Sequence, residues 1–256
     1  MIFIYKVFTV LSYPILIILI YLRKFQNKEH KIRYKEKIFS SCFNIVRKKN
    51  FKLIWFHAAS IGEMKSILPI IKEIKKKKSN LEFLVTSTTL SSSNLAEVEF
   101  KQFENVQHRF FPLDVVFLIK SFLSKWKPDF IFLVDSEIWP NLIINAKKNG
   151  IPLAIINARI TKKSSDRWLR FPNTARKIFE NINLCLSSNK ETYQFLSRFN
   201  KNVFLTGNIK LISKNYFEIK GNLNEKKLSK KKIWLAASTH KNEEAFCLEA
   251  HIKLKK

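Results

Sequence analysis

The chain has 256 residues, enough for one large domain or two small ones. Apolar residues make up 46% of it, which suffices for a globular core. Its three cysteines, Cys42, Cys185 and Cys247, are far apart and fit neither disulfide nor metal-ligand spacing, so a reducing compartment is the simpler inference. The formal charge is +27, from 47 basic and 20 acidic residues. Nine of the basic residues are Arg and 38 are Lys. A Lys excess points less to a designed phosphate fork than to general attraction toward polyanions, nucleic acid or an anionic membrane surface. No aromatic-studded RNA motif or helix-turn-helix pattern accompanies the charge, so no nucleic-acid partner is expected.

Residues 1–24 read as a single N-terminal membrane anchor helix. Met1–Leu22 carries one charge, Lys6, and otherwise apolar or small residues with Pro14. About 20 apolar residues span a bilayer core. Arg23 and Lys24 follow at once, so the positive-inside rule keeps the body of the protein on the cytoplasmic face of the cell inner membrane. The start lacks leading charge and no small-x-small cleavage site follows, which disfavours a cleaved signal peptide. Monotopic insertion is the alternative left open by Lys6 and Pro14. Residues 25–50 form a basic amphipathic segment with Tyr34, Ile38, Phe39, Phe43 and Ile45 as apolar points. A helix lying on lipid headgroups and a helix packed on the domain fit it equally.

From residue 51 to about 210 strand-like and helical patterns alternate. Strands are predicted at Leu53–Phe56, Phe83–Thr86, Val106–Phe110, Phe130–Val134, Leu153–Ile156, Leu184–Leu186 and Val203–Leu205. Helices are predicted at Met64–Lys77, Asn94–Phe103, Val115–Lys125, Asn141–Lys148, Thr174–Phe179 and Glu191–Phe199. This alternation specifies a parallel α/β sheet, Rossmann-like, with right-handed crossovers. Neither G-x-G-x-x-G nor a P-loop occurs, so redox and nucleotide-hydrolysis readings lose their main support. Residues 211–232 are polar and Lys/Asn-rich and read as a linker. Residues 233–256 contain a predicted strand, Ile233–Ala236, a turn at Ser238-Thr239-His240, and a helix over Asn242–Leu254. One β-α unit cannot bury its own faces, so this is the start of a second, truncated domain.

Two turns stand out for chemistry. In Trp55–Ser66 an apolar strand runs through His57, Ala58, Ala59, Ser60, Ile61, Gly62 and Glu63 into a helix. Glu63 would lie at the carboxyl end of the sheet, where open α/β folds bind ligands, as a charged and exposed carboxylate suited to general-base work. The same spacing, Ser60 to Glu63, fits a capping box, and the two roles are compatible. His57 reads as a packed or hydrogen-bonded histidine. The second turn, Asp135-Ser136-Glu137-Ile138-Trp139-Pro140-Asn141, follows the fourth strand and puts more carboxylates at the same edge, able to orient sugar hydroxyls. Glu137 alternatively caps a helix or pairs with a lysine.

Six motifs occur in order: residues 57–63, Phe111-Pro112-Leu113-Asp114, residues 135–141, Asn157-Ala158-Arg159, Thr206-Gly207-Asn208-Ile209-Lys210, and Ser238-Thr239-His240. Together they resemble the Kdo transferases, which add 3-deoxy-D-manno-octulosonic acid (Kdo) to lipid A precursors in lipopolysaccharide biosynthesis. The resemblance runs from the N-terminal segment to the end of the chain. It implies an inverting GT-B-type glycosyltransferase: an N-terminal Rossmann-like acceptor domain facing a second domain that binds the donor, CMP-Kdo. It implies Glu63 as general base on the acceptor hydroxyl, with CMP leaving. It further implies Glu137, Ser60, Gly62 and Arg159 in acceptor binding or transition-state stabilisation, and no cofactor or metal. The partners implied are the lipid A precursor, CMP-Kdo and an anionic inner-leaflet membrane.

The chain departs from the family pattern in places. Thr88-Thr89 runs into Leu90-Ser91-Ser92-Ser93 where the family continues Pro-Thr-Gly-Ser. Asp135-Ser136-Glu137 replaces the usual Glu-Thr-Glu and keeps both charges. After Ser238-Thr239-His240, Asn242 stands where the family commonly has Gly. With the donor domain only begun, a second reading from the same residues is an inactive membrane-associated protein that binds lipid A-type phosphates.

Overall fold

A computed structural model of the chain describes residues 1–211 and 234–254. Seven strands form one fully parallel sheet: β1 (Lys52–His57), β2 (Leu81–Ser87), β3 (Val106–Phe110), β4 (Phe130–Val134), β5 (Leu153–Ala158), β6 (Leu184–Ser187) and β7 (Val203–Leu205). Their order is β3-β2-β1-β4-β5-β6-β7. The chain therefore winds outward from β1 to one edge, returns to the centre, and winds outward from β4 to the other. Every strand predicted from residue 51 to 210 is present, most lengthened by a residue or two at their ends.

The strands are apolar on both faces because helices cover both. One face packs Phe56, Phe83 and Val85 against Met64, Ile67 and Ile71 of α3 (Ile61–Lys77) and Ala96 of α4 (Leu90–Glu99). The other packs Leu53, Trp55, Leu133 and Ile155 against α5 (Val116–Trp126), α6 (Pro140–Lys148), α8 (Pro172–Phe179) and α9 (Lys190–Leu196). The six helices predicted for this domain are all found, with shifted ends. α7 (Lys162–Leu169) is an addition that sequence periodicity does not reveal. Its Lys-Lys-Ser-Ser-Asp-Arg-Trp-Leu sequence has apolar residues only at its end, and it is held by the Thr161 cap and by Trp168 against Phe179.

The N-terminal segment is not one straight anchor. It breaks into α1 (Ile2–Leu11) and α2 (Tyr13–Phe25), bent by 53°. Pro14 is the cause: it has no N–H, and its ring clashes with the carbonyl four residues back. Among the described residues no single helix is long and apolar enough to cross a membrane; this bent pair passes on length and composition only. One side of the pair is tied to the domain. Tyr5 donates to Asp114 Oδ2 at 2.9 Å, Tyr13 to the Ile38 carbonyl, and Ile20 is buried with Tyr34 and Ile38. The other side exposes Phe3, Phe8, Leu11, Ile15 and Ile18.

Residues 25–50 form neither of the helices expected. After α2 the chain turns at Asn27, with φ of 55°, and runs on as an irregular strap with two 3-10 turns, Arg33–Lys37 and Ser40–Cys42. Long-range polar contacts dictate this course. β3 is an edge strand, and an uncovered edge leaves backbone groups unpaired. The strap supplies partners: Glu36 accepts from Phe110 N at 2.8 Å, and Arg33 donates to the His108 carbonyl at 2.9 Å. Gln107 and Arg109 donate to the carbonyls of Val46 and Asn44.

The second compact unit, Glu218–Lys256, contains α10 (Glu243–Leu254) among its described residues. Residues 234–236 are irregular, so the strand expected at Ile233–Ala236 does not form there. They precede a turn in which Ser238 and Asn242 take positive φ. Most of the expected linker, residues 212–232, lies outside the described residues.

His108 makes the strap's attachment sensitive to acid. Its Nδ1 lies 3.0 Å from an Arg33 nitrogen that can only donate, so Nδ1 accepts and Nε2–H donates to Ser87 at 2.9 Å. Burial, then Arg33, Arg109 and His30, push its pKa from 6.5 down to about 3. The depressed value means the unfolded state binds the proton more readily. The contribution to stability is complete above about 6.5 and lost as pH falls toward 3, with a slope of up to about 1.4 kcal/mol per pH unit. Urea unfolding between pH 4 and 7 should show this slope in the parent and a shallower one in His108→Gln; equal slopes would contradict the account.

Candidate active site

The chain reverses its direction of winding between β1 and β4, and the turns that follow these neighbouring strands part there to leave a crevice at the carboxyl edge. Glu63 follows β1, Asp135 and Glu137 follow β4, and Asn157 and Arg159 come at the end of β5. The expected placement of Glu63 and Glu137 at one edge is what the structure has.

Glu63 differs in one respect from expectation: it is buried, not exposed. Ser60 is the N-cap of α3, and its hydroxyl accepts from Glu63 N at 3.3 Å while donating to Glu63 Oε1 at 2.7 Å. Glu63 Oε2 accepts from Ala59 N at 2.8 Å. The carboxylate thus folds back over its own turn, one residue beyond the usual reach of a capping box. Burial raises its pKa above the ordinary glutamate range. The Ser60 and Ala59 hydrogen bonds oppose that shift, and the charges of Glu137 and Asp135 add to it. A carboxylate made more basic and held by two donors is suited to accept a proton.

Glu137 neither caps a helix nor pairs with a lysine among the described residues. Its Oε2 accepts from Trp139 Nε1 at 2.9 Å and lies 3.2 Å from His57 Nε2. His57 is fully buried and stacked on Phe111, with ring centroids 4.1 Å apart. Trp55 Nε1 donates to Thr86 Oγ1 at 2.9 Å, and Thr86 Oγ1 lies 3.0 Å from His57 Nδ1. A carboxylate oxygen accepts, so His57 Nε2 donates to Glu137, while Nδ1 lies between the Thr86 hydroxyl and, at 3.2 Å, the Thr86 carbonyl. His57 is therefore a buried histidine that orients Glu137. The helix α6 is capped instead from another loop: Asp114 accepts from Asn141 N and Leu142 N, each at 2.9 Å, besides Tyr5. Burial lifts Asp114 to about 6, and these three donors oppose the shift.

Sequence reasoning assigns no role to Lys210 or Asn157. The segment after β7 returns across the sheet edge: Ile209 N donates to Asn157 Oδ1 at 3.0 Å, and Lys210 Nζ reaches Asp135 Oδ2 at 2.6 Å. A Cβ on Gly62 would stand 3.9 Å from the Lys210 stem, an ordinary contact, so this approach does not itself require a glycine. Asp135 has a left-handed φ of 64°, and its Oδ1 is buried without a hydrogen-bond partner among the described residues. The signal for Lys210 is the motif Thr206–Lys210 itself, whose distance in sequence from Asp135 hides the contact. Arg159 is exposed and joins this centre only through its carbonyl, which accepts from Ser136 at 2.5 Å. It lines a separate cleft of about 530 Å³ with Asn189, Gln194 and Arg198. Among the described residues no group of three or more His, Cys, Asp or Glu is placed to hold a metal ion.

The sequence profile described as 3-deoxy-D-manno-octulosonic-acid transferase (kdotransferase) matches residues 30–213. This chain belongs to the Kdo transferase family. The match covers the strap from residue 30 on, the whole sheet and the returning Lys210 segment. Relatives include a probable mitochondrial 3-deoxy-D-manno-octulosonic acid transferase of Arabidopsis thaliana, 31% identical over 98% of this chain and 58% of its own length. The 3-deoxy-D-manno-octulosonic acid transferase of Rickettsia bellii is 31% identical over 98% of this chain and 60% of its own. The chain thus spans about three fifths of the length of these relatives. In fold it resembles Staphylococcus aureus MnaA, solved with UDP: TM-score 0.51 and 17% identity, over 71% of this chain and 52% of that one. The architecture of this family member is therefore GT-B-like in its sheet.

The Lys210–Asp135 pair yields a prediction. Lys210→Met leaves a mostly buried carboxylate, one of whose oxygens already lacks a donor, without its cation. A loss of about 1–3 kcal/mol is expected in urea unfolding. Adding Asp135→Asn should recover most of it, and additive losses in the double variant would show that the pair is not coupled.

Proposed function

We propose that this Kdo transferase family member transfers Kdo from CMP-Kdo to a hydroxyl of a lipid A-type acceptor in lipopolysaccharide biosynthesis, with inversion at the anomeric carbon. The observation that carries the reading is Glu63: a buried carboxylate of raised basicity at the sheet's reversal point, beside two further acids. The acceptor hydroxyl gives its proton to Glu63 as its oxygen bonds to the anomeric carbon of Kdo. The bond from that carbon to the CMP phosphate oxygen breaks, and CMP departs with the electron pair. Ser60 and Ala59 hold the Glu63 carboxylate in place, while Glu137, fixed by His57 and Trp139, orients acceptor hydroxyls. CMP is bound by the second domain, and the reaction uses no metal, so EDTA should leave its rate unchanged.

The lipid acceptor is met at an anionic inner-membrane surface on the cytoplasmic face. The outward apolar side of α1 and α2 lies on the lipid, with Lys24 and Lys28 toward anionic headgroups. Replacing Phe8 and Leu11 together by Glu should lower sedimentation with phosphatidylglycerol vesicles at least tenfold, since each large apolar side chain withdrawn from lipid forfeits about 2 kcal/mol. Unchanged sedimentation would remove these helices from the contact.

Glu63→Gln separates the cap from the base. The Gln carbonyl still accepts from Ala59 N, and its NH₂ donates to Ser60 Oγ, so the thermal midpoint should change by less than the equivalent of ~1 kcal/mol. The loss of a general base lowers transfer by about 10²–10⁴. In the parent enzyme kcat/KM rises with pH as Glu63 ionises, above the ordinary glutamate range, and this limb disappears in the variant. Assayed in the full transferase with donor, a variant that melts normally and transfers at the parental rate would end Glu63's role in chemistry.

A further inference from the structure

On the far side of the Asp135–Glu137 turn lies a second groove, of about 550 Å³, that the reaction above does not use. Its floor is Ser136 and Ile138 of that turn, and its wall is the end of α7 and the start of α8. Arg167 and Arg170 stand over it, and Trp168 and Phe171 supply apolar faces. Among the described residues no acid lines it. The two acids of the adjoining turn are already engaged, Asp135 with Lys210 and Glu137 with His57 and Trp139. Arg167 donates through Nε to the Lys163 carbonyl at 3.3 Å, and among the described residues its terminal nitrogens make no hydrogen bond or ion pair. The cleft on the other side of α7 is different: there Arg159, Lys162 and Arg198 share the lining with Asp166 and Glu191, so most of its positive charge is compensated internally.

We infer that the Arg167/Arg170 groove is a binding subsite for a sugar that carries an oxyanion. Guanidinium groups match the planar, bidentate demand of phosphate and carboxylate oxygens. Flat aromatic faces beside them pack the apolar face of a sugar ring. The groove shares Ser136 with the turn that holds Glu137, so a saccharide filling it extends toward the catalytic crevice. The inference rests on the glycosyl-transfer reading for the identity of the sugar, as part of the acceptor, and on the groove alone for the anion. Two sources share this chemistry: a phosphate monoester on an amino sugar, and the carboxylate of a sugar acid.

Glucosamine 1-phosphate, free Kdo and glucosamine are the probes, titrated into the ¹⁵N-labelled chain while the indole N–H resonance of Trp168 is followed. At least one of the two anionic sugars should shift it saturably in the millimolar range, and glucosamine should not. The one that shifts it identifies the source of the anion. Arg167→Gln with Arg170→Gln should weaken that binding at least tenfold, whereas Lys162→Gln with Lys163→Gln, an equal loss of charge on the same helix, should change it less than twofold. Equal binding of glucosamine, binding by neither anion, or equal effects of the two double variants would overturn the subsite. Glu63→Gln should leave this binding intact, so loss of transfer without loss of the Trp168 shift tests the base apart from the groove.

Discussion

Everything functional in this chain follows from one topological constraint, the point between β1 and β4 where the parallel sheet reverses its winding. Right-handed crossovers carry the chain outward from each of these strands on opposite faces, so the two following turns cannot cover one another. The crevice that results is filled with carboxylates of separate origin: Glu63 from one turn, Asp135 and Glu137 from the other. A protein of formal charge +27 has collected three of its 20 acids at the centre of one sheet edge. Such a concentration needs local compensation, and each acid has a different one.

The three compensations explain why these acids are not interchangeable. Asp135 is neutralised by Lys210, delivered from the far side of the sheet by the segment after β7. Glu137 is held by two ring N–H groups, one of them at the end of a relay of Trp55, Thr86 and His57 that is buried throughout. Glu63 is held by a hydroxyl and a backbone amide. Among the described residues it is the acid of the three without a cation or a ring donor, and it is the one whose affinity for a proton burial and its acidic neighbours raise. The division into one basic carboxylate and two fixed ones arises from what each turn offers its side chain.

Much of this is legible in the sequence where the cause is local. Runs such as Phe130–Val134 have few alternatives to a buried strand, and Ser60 to Glu63 sets the start of α3 on spacing alone. What escapes is set by distant partners. The strap over residues 25–50 has amphipathic spacing, yet the unpaired edge of β3 wins its side chains and prevents a helix. Pro14 divides a segment that hydropathy alone reads as continuous. The burial of Glu63 is concealed because the same spacing lets the side chain point outward or fold back, and only the Ala59 amide decides. The acidic centre lies where its turns predict, but its cation, Lys210, is 75 residues from its partner.

The tie between Tyr5 and Asp114 has a consequence for how the protein is made. The two residues lie 109 apart, so α1 leaves the ribosome long before its anchor exists. At about 5–20 residues per second that interval lasts about 5–20 s. Throughout it the apolar sides of α1 and α2 have no sheet to rest on, and the only surfaces that accept them are a chaperone or a lipid bilayer. The order of synthesis thus offers these helices to their surroundings first and to their own domain second.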